Sequence, residues 1–342
     1  MNCSNVDGRA TVTLQADLGH RVTSDAQREQ FMVQAAKLYY DLDRNQSEIA
    51  QELGLTRWQV GRLLQEARET GIVRIEIVAR GQRRPDLEAR LQARWGLREA
   101  IVVPGPATGE GAADEAIAID AVAQAAAQYL AALAPRPDLV GVSWGRTMTA
   151  VARRLPPRWN EGVQVVLLNG ATAIRGTAFR TNAVAEGFAE AGPGSATLLP
   201  VPAIVGNPAT RAVLEADPVI AGILDVARAA PVACFGVGPM ASRSVHVDSG
   251  YLDAGQIEAL QRAGAVGDVL GRFLDAEGRI VSPELDARTI GLRPEALREK
   301  SHSIGVAAGA QKAGIARACL VAGFVNVLVT DAATAAQLLG GE

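Results

Sequence analysis

Short apolar runs that alternate with helix-like segments occupy most of this 342-residue chain, and they constrain its fold more than any other feature. Several of the runs are continuous, such as IVV, VVLL and VLV, and do not alternate apolar with polar residues. A strand that is covered on both faces is apolar throughout, whereas a strand with one solvated face alternates. The runs therefore predict an α/β fold in which helices cover both faces of a mainly parallel sheet.

The predicted strands lie in segments spread along the chain. They are AIVVPG, LVGVSWG, VQVVLLNG, ATLLPVPAIVG, VACFGVG, HSIGVAAG and NVLVTD. A long Ala-rich helix is predicted between the first two of them, from Ala112 to Leu133. Alternation of strands with helices is typical of a parallel sheet built from βαβ units.

The first part of the chain has a different pattern. From near Ser24 the apolar residues recur at helical spacing, which puts on one face Phe31, Met32, Ala35, Leu38 and Tyr39. The segment IVRIEIVAR then alternates as a short strand does, and GQRRPDL has the Gly, Pro and charges of a linker. We therefore expect a mobile tail over 1–24, a helical domain ending in a strand over 25–80, a linker over 81–86 and an α/β domain over 87–342.

The composition limits the kinds of function that the chain can have. It is 48% hydrophobic and 21% charged with a net charge of -3, which indicates a soluble globular protein without a global basic field for nucleic acid. Its cysteines, Cys3, Cys234 and Cys319, have no CxxC spacing, so neither a disulfide framework nor a metal site is predicted. Because no apolar run is long enough to span a membrane and the N-terminus lacks a signal-peptide pattern, we expect a cytoplasmic protein.

Two short helices around one turn are predicted in NQSEIAQELGLTRWQVGRLLQEARETG. Asn45 and Glu48 have the spacing of a capping box, and Thr56 and Gln59 repeat that spacing before the second helix. The residues predicted on a shared inner face are Ile49, Ala50, Leu53, Val60, Leu63, Leu64 and Ala67. Gly54 ends the first helix, so the two helices are only a few residues apart.

The outer side of the second helix carries polar residues near its N-terminus. They are Thr56, Arg57, Trp58, Gln59 and Arg62. In a DNA-binding helix-turn-helix these positions face base edges in the major groove, where Arg suits guanine and Gln suits adenine. A plain αα-hairpin explains the same pattern, but the strand predicted after it matches the wing of a winged helix-turn-helix. Because acidic and basic residues are nearly balanced in this domain, we expect modest non-specific affinity that depends on salt.

The segment LVGVSWGRTMTAVARRL predicts a site for an anion. A buried strand runs into a turn of small residues, and a helix follows. The first backbone N–H groups of such a helix are unpaired and lie at the positive end of its dipole, which suits a phosphate. Ser143 and Thr147 add hydroxyl groups and Arg146 adds a positive charge. An ordinary structural turn accounts for the same residues equally well.

Together these motifs resemble the SorC-type family of sugar-binding bacterial transcriptional regulators, the group of the deoxyribonucleoside and central glycolytic regulators. The resemblance starts at about Asp25 and is carried, in order, by SEIAQELGLTRWQVGRLLQEARETGIVRIEI, GVSWGRT, LLPVPAIV, GVGPM, AVGDVLGRFLDAEGRIV and IGVAAGAQKAGIARACLVAGFVNVLVTDAATAAQLL. It implies a winged helix-turn-helix followed by a Rossmann-like effector domain similar to sugar-phosphate isomerases. It also implies operator DNA and a phosphorylated sugar or polyol as ligands, and a homodimer or homotetramer.

Matching the chain to the family's motifs implies a set of effector contacts. They are Ser143, Trp144, Gly145, Arg146 and Thr147 in the turn, and Gly170, Arg180, Arg243, Asp268 and Lys312 elsewhere. Asp268 is a good acceptor for sugar hydroxyls, and Lys312 lies at a predicted helix start where it helps to neutralise an anion. A surface or capping acid and a solvated lysine are the alternative roles of these two residues. The chain departs from its relatives in SWGRT and in the Asn-Gly-Ala of LLNGATAIRGT, and the first departure predicts a narrower pocket floor.

A DNA-binding regulator of carbohydrate metabolism that responds to a phosphorylated sugar is the leading hypothesis, with no cofactor, metal or catalytic residue required. The alternative is a sugar-phosphate isomerase with an accessory helical domain, which needs a general acid–base set. The histidines available for that task are His20, His246 and His302, and Lys312 is a candidate for a Schiff base. A regulator binds and releases the sugar phosphate without altering it, whereas an isomerase converts it into an isomer.

Overall fold

The computed structural model describes residues 25–73, 83–105, 112–170, 182–240, 245–248 and 251–340. The chain divides into two compact units, Met1–Val78 and Ala79–Glu342. Within the described ranges, no helix is both long enough and apolar enough to cross a membrane. The predicted tail over 1–24, most of the predicted wing strand, and Arg180 and Arg243 lie outside the described residues.

Three α-helices make up the described part of the first unit. Helix α1 covers Asp25–Ala36 and continues as a π-helix over Lys37–Asp41, α2 covers Gln46–Leu53, and α3 covers Arg57–Glu69. Helices α2 and α3 are thus joined by a short turn that begins at Gly54. The two short helices around one turn that the sequence predicts are therefore present.

Both predicted capping boxes are present and explain where α2 and α3 begin. Asn45 Oδ1 accepts hydrogen bonds from the backbone N–H groups of Ser47 and Glu48, at 3.0 and 3.1 Å. Thr56 Oγ1 accepts from the N–H of Gln59 at 3.3 Å, and Gln59 Oε1 accepts in return from the N–H of Thr56 at 2.8 Å. Each box satisfies N–H groups that a helix cannot pair internally.

A small apolar core holds the three helices together. Its buried members are Ala35, Ala36, Ile49, Ala50, Val60 and Leu64. Tyr39, which the helical periodicity places on the buried face, is instead 37% exposed. The reason is the π-helix, whose wider turn changes the angular spacing of side chains after Ala36.

The second unit alternates strands and helices. In chain order its elements are α4 Pro85–Trp95, β1 Glu99–Val103, α5 Ala112–Ala131, β2 Leu139–Val142, α6 Arg146–Arg154, β3 Gln164–Leu167, α7 Ala183–Ala191, β4 Ser195–Thr197, α8 Pro208–Ala216, α9 Pro218–Ala229, β5 Val232–Pro239, α10 Val245–Asp248, α11 Ala254–Arg262, β6 Gly267–Val269, β7 Arg272–Leu274, α12 Pro283–Asp286, β8 His302–Ala307, α13 Ala313–Val321, β9 Val327–Asp331 and α14 Ala332–Leu338. Two 3-10 helices cover Pro294–Glu299 and Ala310–Lys312.

A parallel sheet forms the centre of this unit, with strand order β1-β9-β8-β5-β2-β3-β4. Successive residues of β1 enter opposite cores: Ile101 and Val103 pack with α5, α6 and α7, while Ala100 and Val102 pack with α4, α13 and α14. Each fully buried large apolar side chain contributes about 1.5–3 kcal/mol, so the two cores stabilise the sheet from both sides. The predicted parallel α/β fold is confirmed.

Two segments differ from the predicted pattern. The run ATLLPVPAIVG does not form a long strand, because only β4 is regular there and Pro200 and Pro202 have no N–H to donate to a ladder. The short strands β6 and β7 were not predicted; they form an antiparallel hairpin that pairs with the last residues of β5. This hairpin carries Asp268 to the carboxyl end of β5.

Candidate functional site

The turn between β2 and α6 leaves the start of a helix open to a ligand. Gly145 has a φ of +146°, a conformation that other residues rarely adopt, and it directs the chain from the strand into the helix. No side chain of the described residues caps α6, because its N-cap residue is Gly145; Ser143 Oγ instead accepts from the Gly236 N–H at 3.2 Å. The first N–H groups of α6 and its dipole are therefore available to an anion.

Lys312 lies beside this helix start. Its Nζ donates a hydrogen bond to Thr147 Oγ1 at 2.8 Å, and both residues are buried. Burial, with a smaller contribution from the charge of Arg146, lowers the pKa of Lys312 to about 8. Arg146 itself is exposed and forms an ion pair with Glu115 at 3.3 Å. Ammonium, hydroxyl and backbone donors thus converge where the sequence predicts a phosphate.

His246, which is buried, and Asp268, whose side chain is 13% exposed, form an acid–base pair in the same region. Asp268 Oδ2 lies 3.2 Å from His246 Nε2 and accepts from the Gly271 N–H at 3.2 Å. Burial alone disfavours the imidazolium, but the Asp268 carboxylate outweighs it and raises the pKa of His246 above its usual range. Gly238 is needed opposite this pair, because a Cβ there would lie 2.1 Å from Asp268 Oδ1.

The loop before Lys312 is held by a buried carboxylate. Asp331, which ends β9, is 1% exposed, and its Oδ2 accepts from the Gly309 N–H at 2.6 Å. Asp331 also caps α14 through the N–H and hydroxyl of Thr334. It therefore positions the chain that carries Lys312, a role that the sequence does not indicate.

Trp144 connects the turn to the end of the neighbouring strand. Its Nε1 donates to the Gly170 carbonyl oxygen at 2.9 Å, and its ring packs edge-on against His246, with centroids 6.1 Å apart. Gly170 therefore contributes a carbonyl that orients the indole. The residue before it, Asn169, lines the cavity beside Trp144.

These side chains surround one cavity at the carboxyl edge of the sheet, above the ends of β2, β3, β5 and β8. The chain passes from β2 outward to β3 on one side and from β5 outward to β8 on the other. Ligands of open α/β sheets bind at such a switch point. Within the described residues, no group of three or more His, Cys, Asp or Glu side chains is arranged to hold a metal ion.

The structure brings most of the predicted effector residues together. Those that line the cavity are Ser143, Trp144, Gly145, Arg146, Thr147, Asp268 and Lys312. Lys312 is buried and the Asp268 side chain is 13% exposed, so neither is a solvated surface residue; Asp268 accepts from the Gly271 N–H, as a capping acid does, and also lines the cavity. The sequence analysis named His246 only as an acid–base candidate of the isomerase alternative, and it did not identify Asn169 or Asp331 as site residues.

The predicted DNA-reading residues lie on an exposed face at the start of α3. Trp58 is 70% exposed, and the Arg62 guanidinium lies over its ring at 5.6 Å. Arg57 and Gln59 are also exposed. Because Gln59 Oε1 already accepts from Thr56, that oxygen is occupied by the cap in this conformation.

Comparison with known proteins gives a consistent result. Residues 81–340 match the family model described as "Putative sugar-binding domain". A deoxyribonucleoside regulator from Bacillus subtilis is 34% identical over 315 residues, which cover 92% of this chain and 99% of that protein. A sorbitol operon regulator from Klebsiella pneumoniae is 30% identical, with coverage of 90% and 97%. The crystal structure of the full-length sorbitol operon regulator SorC from K. pneumoniae matches with a TM-score of 0.66 at 28% identity, over 91% of this chain and 98% of that one.

Proposed function

Because the chain belongs to the SorC-type family of sugar-binding transcriptional regulators, we propose that its helical unit binds operator DNA and that a phosphorylated sugar or polyol in the α/β cavity changes that binding. In this proposal the protein acts in the cytoplasm on genes of carbohydrate metabolism. It acts as a homodimer or homotetramer, because a helix-turn-helix commonly reads two half-sites.

One observation carries the effector part of the proposal: the open N-terminus of α6, the Thr147 hydroxyl and the Lys312 ammonium converge in one cavity. A phosphate there accepts hydrogen bonds from all three, and charge-assisted bonds of this kind are the stronger ones. The negative charge of the phosphate also favours the protonated form of Lys312, which burial disfavours. Asp268 in the same cavity is an acceptor for hydroxyl groups of the ligand.

The DNA part of the proposal rests on the exposed start of α3. Arg57 and Arg62 supply positive charge and guanine-reading geometry, and Trp58 supplies an apolar surface for a thymine methyl or a sugar. We propose that the strand predicted over 72–80 forms the wing and that the linker predicted over 81–86 is confined to 81–84, because α4 begins at Pro85. The exposed arginines provide the local basic surface that the net charge of the chain does not.

The proposed mechanism is a shift between two arrangements of the oligomer. An effector that binds one arrangement more tightly raises its population, and operator affinity changes by the same coupling free energy. Release and promotion of DNA binding are both consistent with this scheme. The names of the relatives favour such regulation over the isomerase alternative.

The experiment is a titration of fluorescently labelled DNA from upstream of the protein's own operon, followed by anisotropy at a fixed and stated salt concentration. The complex is then titrated with a panel of sugar and polyol phosphates, and each compound is analysed afterwards for conversion. A specific complex that one compound shifts supports the proposal. Absence of specific binding together with conversion of a sugar phosphate would overturn it in favour of the isomerase.

Matched variants test separately the DNA-binding role proposed for the helical unit and the effector-binding role proposed for the α/β unit. Arg57→Ala is expected to weaken operator binding without changing effector affinity, and Arg68→Ala, on the exposed last turn of α3, is its control. Thr147→Val is expected to weaken effector binding roughly tenfold or more, because it removes a hydrogen bond to a charged group. Thr210→Val is its control, since Thr210 is exposed at the start of α8 and does not line the cavity. Equal losses of both ligands in Arg57→Ala and Thr147→Val would contradict the division of roles.

A further inference from the structure

The backbone of Asn169 is fixed at the edge of the cavity. It pairs with Gly291 in an isolated antiparallel bridge, and the N–H of Gly170 donates to the Ile290 carbonyl at 3.2 Å. One residue earlier, Leu168 accepts from the Leu292 N–H at 2.6 Å. The side chain of Asn169 is not needed for any of these bonds. It lines the cavity and is 4% exposed as a whole.

The amide oxygen of Asn169 has no hydrogen-bond partner among the described residues. It is buried, and no hydrogen bond reaches it in the part of the chain that the structure describes. A buried carbonyl oxygen left unpaired costs free energy, and nearly all such groups in folded proteins are paired. Asn160 shows the usual case: it is similarly buried, and its Nδ2 donates to the Pro137 carbonyl at 2.7 Å. A ligand that donates a hydrogen bond to Asn169 Oδ1 would therefore satisfy this oxygen.

We propose that Asn169 is a specificity-determining residue whose Oδ1 accepts a hydrogen bond from a hydroxyl group of the bound effector. This inference rests on the proposed function, in which Thr147, Lys312 and α6 hold the phosphate. A carbonyl oxygen attracts a hydroxyl donor and repels phosphate or carboxylate oxygens. Asp268, also an acceptor when ionised, lines the same cavity. The pair selects a phosphorylated polyhydroxy compound over a phosphorylated carboxylic acid.

The position of Asn169 relative to the phosphate turn is fixed. Trp144, which belongs to that turn, donates its indole N–H to the carbonyl of Gly170, the next residue after Asn169. A ligand anchored by its phosphate therefore presents one particular hydroxyl to Oδ1. A site built to bond a hydroxyl discriminates strongly against an analogue that lacks it, because its polar group is then left buried and unpaired.

The test uses Asn169→Leu, which keeps the approximate size of the side chain and removes the acceptor. Calorimetric titrations of the full-length wild type and variant use glucose 6-phosphate, ribose 5-phosphate and sorbitol 6-phosphate, each with its monodeoxy analogues. The wild type is expected to bind one monodeoxy analogue about tenfold or more weakly than its parent. In Asn169→Leu that preference disappears, while discrimination at the other positions remains. A variant that discriminates at every position as the wild type does would overturn this inference alone, and failure of the wild type to bind any of these compounds would overturn the proposed function with it.

Thermal unfolding of the ligand-free protein gives a second, independent result. Removal of an unpaired buried oxygen is expected to leave the Tm of Asn169→Leu unchanged or higher. Asn160→Leu, the matched control, is expected to have a lower Tm because it loses the bond to Pro137. A clear fall in Tm for Asn169→Leu would show that the side chain serves the fold, and would contradict a role reserved for the effector.

Discussion

Lys312 is the single residue whose charge depends most directly on what the cavity contains. Its pKa is lowered from 10.5 to about 8, mainly by burial, so above pH 8 most molecules carry a neutral amine there. A phosphate at the start of α6 would favour the ammonium form and raise that pKa. The state of this one side chain is therefore linked to ligand binding.

We predict that effector binding takes up a proton between about pH 8 and pH 9, because the free protein is partly deprotonated at Lys312 and the complex is protonated. The measurement is calorimetry at one pH in buffers of different ionisation enthalpy. Proton uptake is expected to vanish in Lys312→Met and to persist in Lys37→Met, a control in the helical unit. Uptake that survives in Lys312→Met would assign it to another group.

Arg272 is a second residue whose burial has a specific consequence. Its side chain is 0% exposed, and Nε lies 2.9 Å from Asp286 Oδ1. It donates to four backbone carbonyls, those of Leu270, Thr289, Gly291 and Leu292. It thereby joins the β6–β7 hairpin, which carries Asp268, to the segment that pairs with Asn169.

We predict that Arg272→Leu lowers the free energy of unfolding by about 3–5 kcal/mol, because it leaves several buried carbonyls without a donor and removes one of the two arginines paired with Asp286, the other being Arg293. Arg279→Leu is the control, since Arg279 is 72% exposed and its ion pair with Asp275 is on the surface. Urea denaturation followed by circular dichroism compares the two. Similar losses in both variants would contradict the role assigned to Arg272.

At the scale of secondary-structure elements, the caps stabilise the first turns of α2 and α3. The start of α3 carries the exposed residues that are proposed to contact DNA. We predict that Asn45→Ala costs about 1 kcal/mol locally, because two N–H groups lose the acceptor Oδ1. Hydrogen exchange of the α2 amides is expected to become roughly fivefold faster, because about 1 kcal/mol corresponds to a fivefold change in the opening equilibrium. Ser47→Ala is the control; equal exchange in both variants would show that the cap contributes nothing.

How well each element could be predicted depends on how local its signal is. The capping boxes at Asn45 and Thr56 lie within four residues of sequence, and the continuous apolar runs identify most strands of the parallel sheet. The strand–turn–helix at Ser143 to Thr147 is equally local, so the core of the site could be predicted. Tyr39 was placed on the wrong face because the change from α-helix to π-helix leaves no mark in the apolar spacing.

Other features depend on contacts between distant segments. The β6–β7 hairpin has only three residues in each strand, too few for a periodic pattern, and it forms because the end of β5 offers an edge. Asn169 and Asp331 could not be predicted as site residues, because the contacts that position them are made with distant segments. Asn169 pairs with Gly291, and Asp331 accepts a hydrogen bond from the Gly309 N–H. The place of His246 in the site depends on its contact with Asp268, a residue that comes next to it only after folding.

At the scale of the whole molecule, charge sets the conditions under which DNA binding is measurable. The chain has a net charge of -3, so in the proposed function its attraction to DNA comes from the exposed arginines at the start of α3, Arg57 and Arg62. Operator affinity should therefore fall linearly with the logarithm of the salt concentration, with a slope set by the phosphates that those arginines neutralise.

We predict that Arg62→Gln reduces the magnitude of this slope by about one for each DNA-bound chain, because one fewer counterion is released. Arg68→Gln, on the last turn of the same helix, is expected to leave the slope unchanged. Anisotropy titrations at several salt concentrations give the slopes. An unchanged slope in Arg62→Gln would place Arg62 away from the DNA.

The placement of two tryptophans has a practical consequence for following this protein. Trp144 is buried against His246 in the cavity, whereas Trp58 is 70% exposed on α3. A buried indole emits at shorter wavelength than a solvated one, so occupancy of the cavity and contact with DNA should affect different parts of the same emission spectrum. Trp144 and Trp58 are thus native optical reporters for the two proposed binding events, over the background emission of Trp95 and Trp159, and no attached dye is needed to show how those events are coupled.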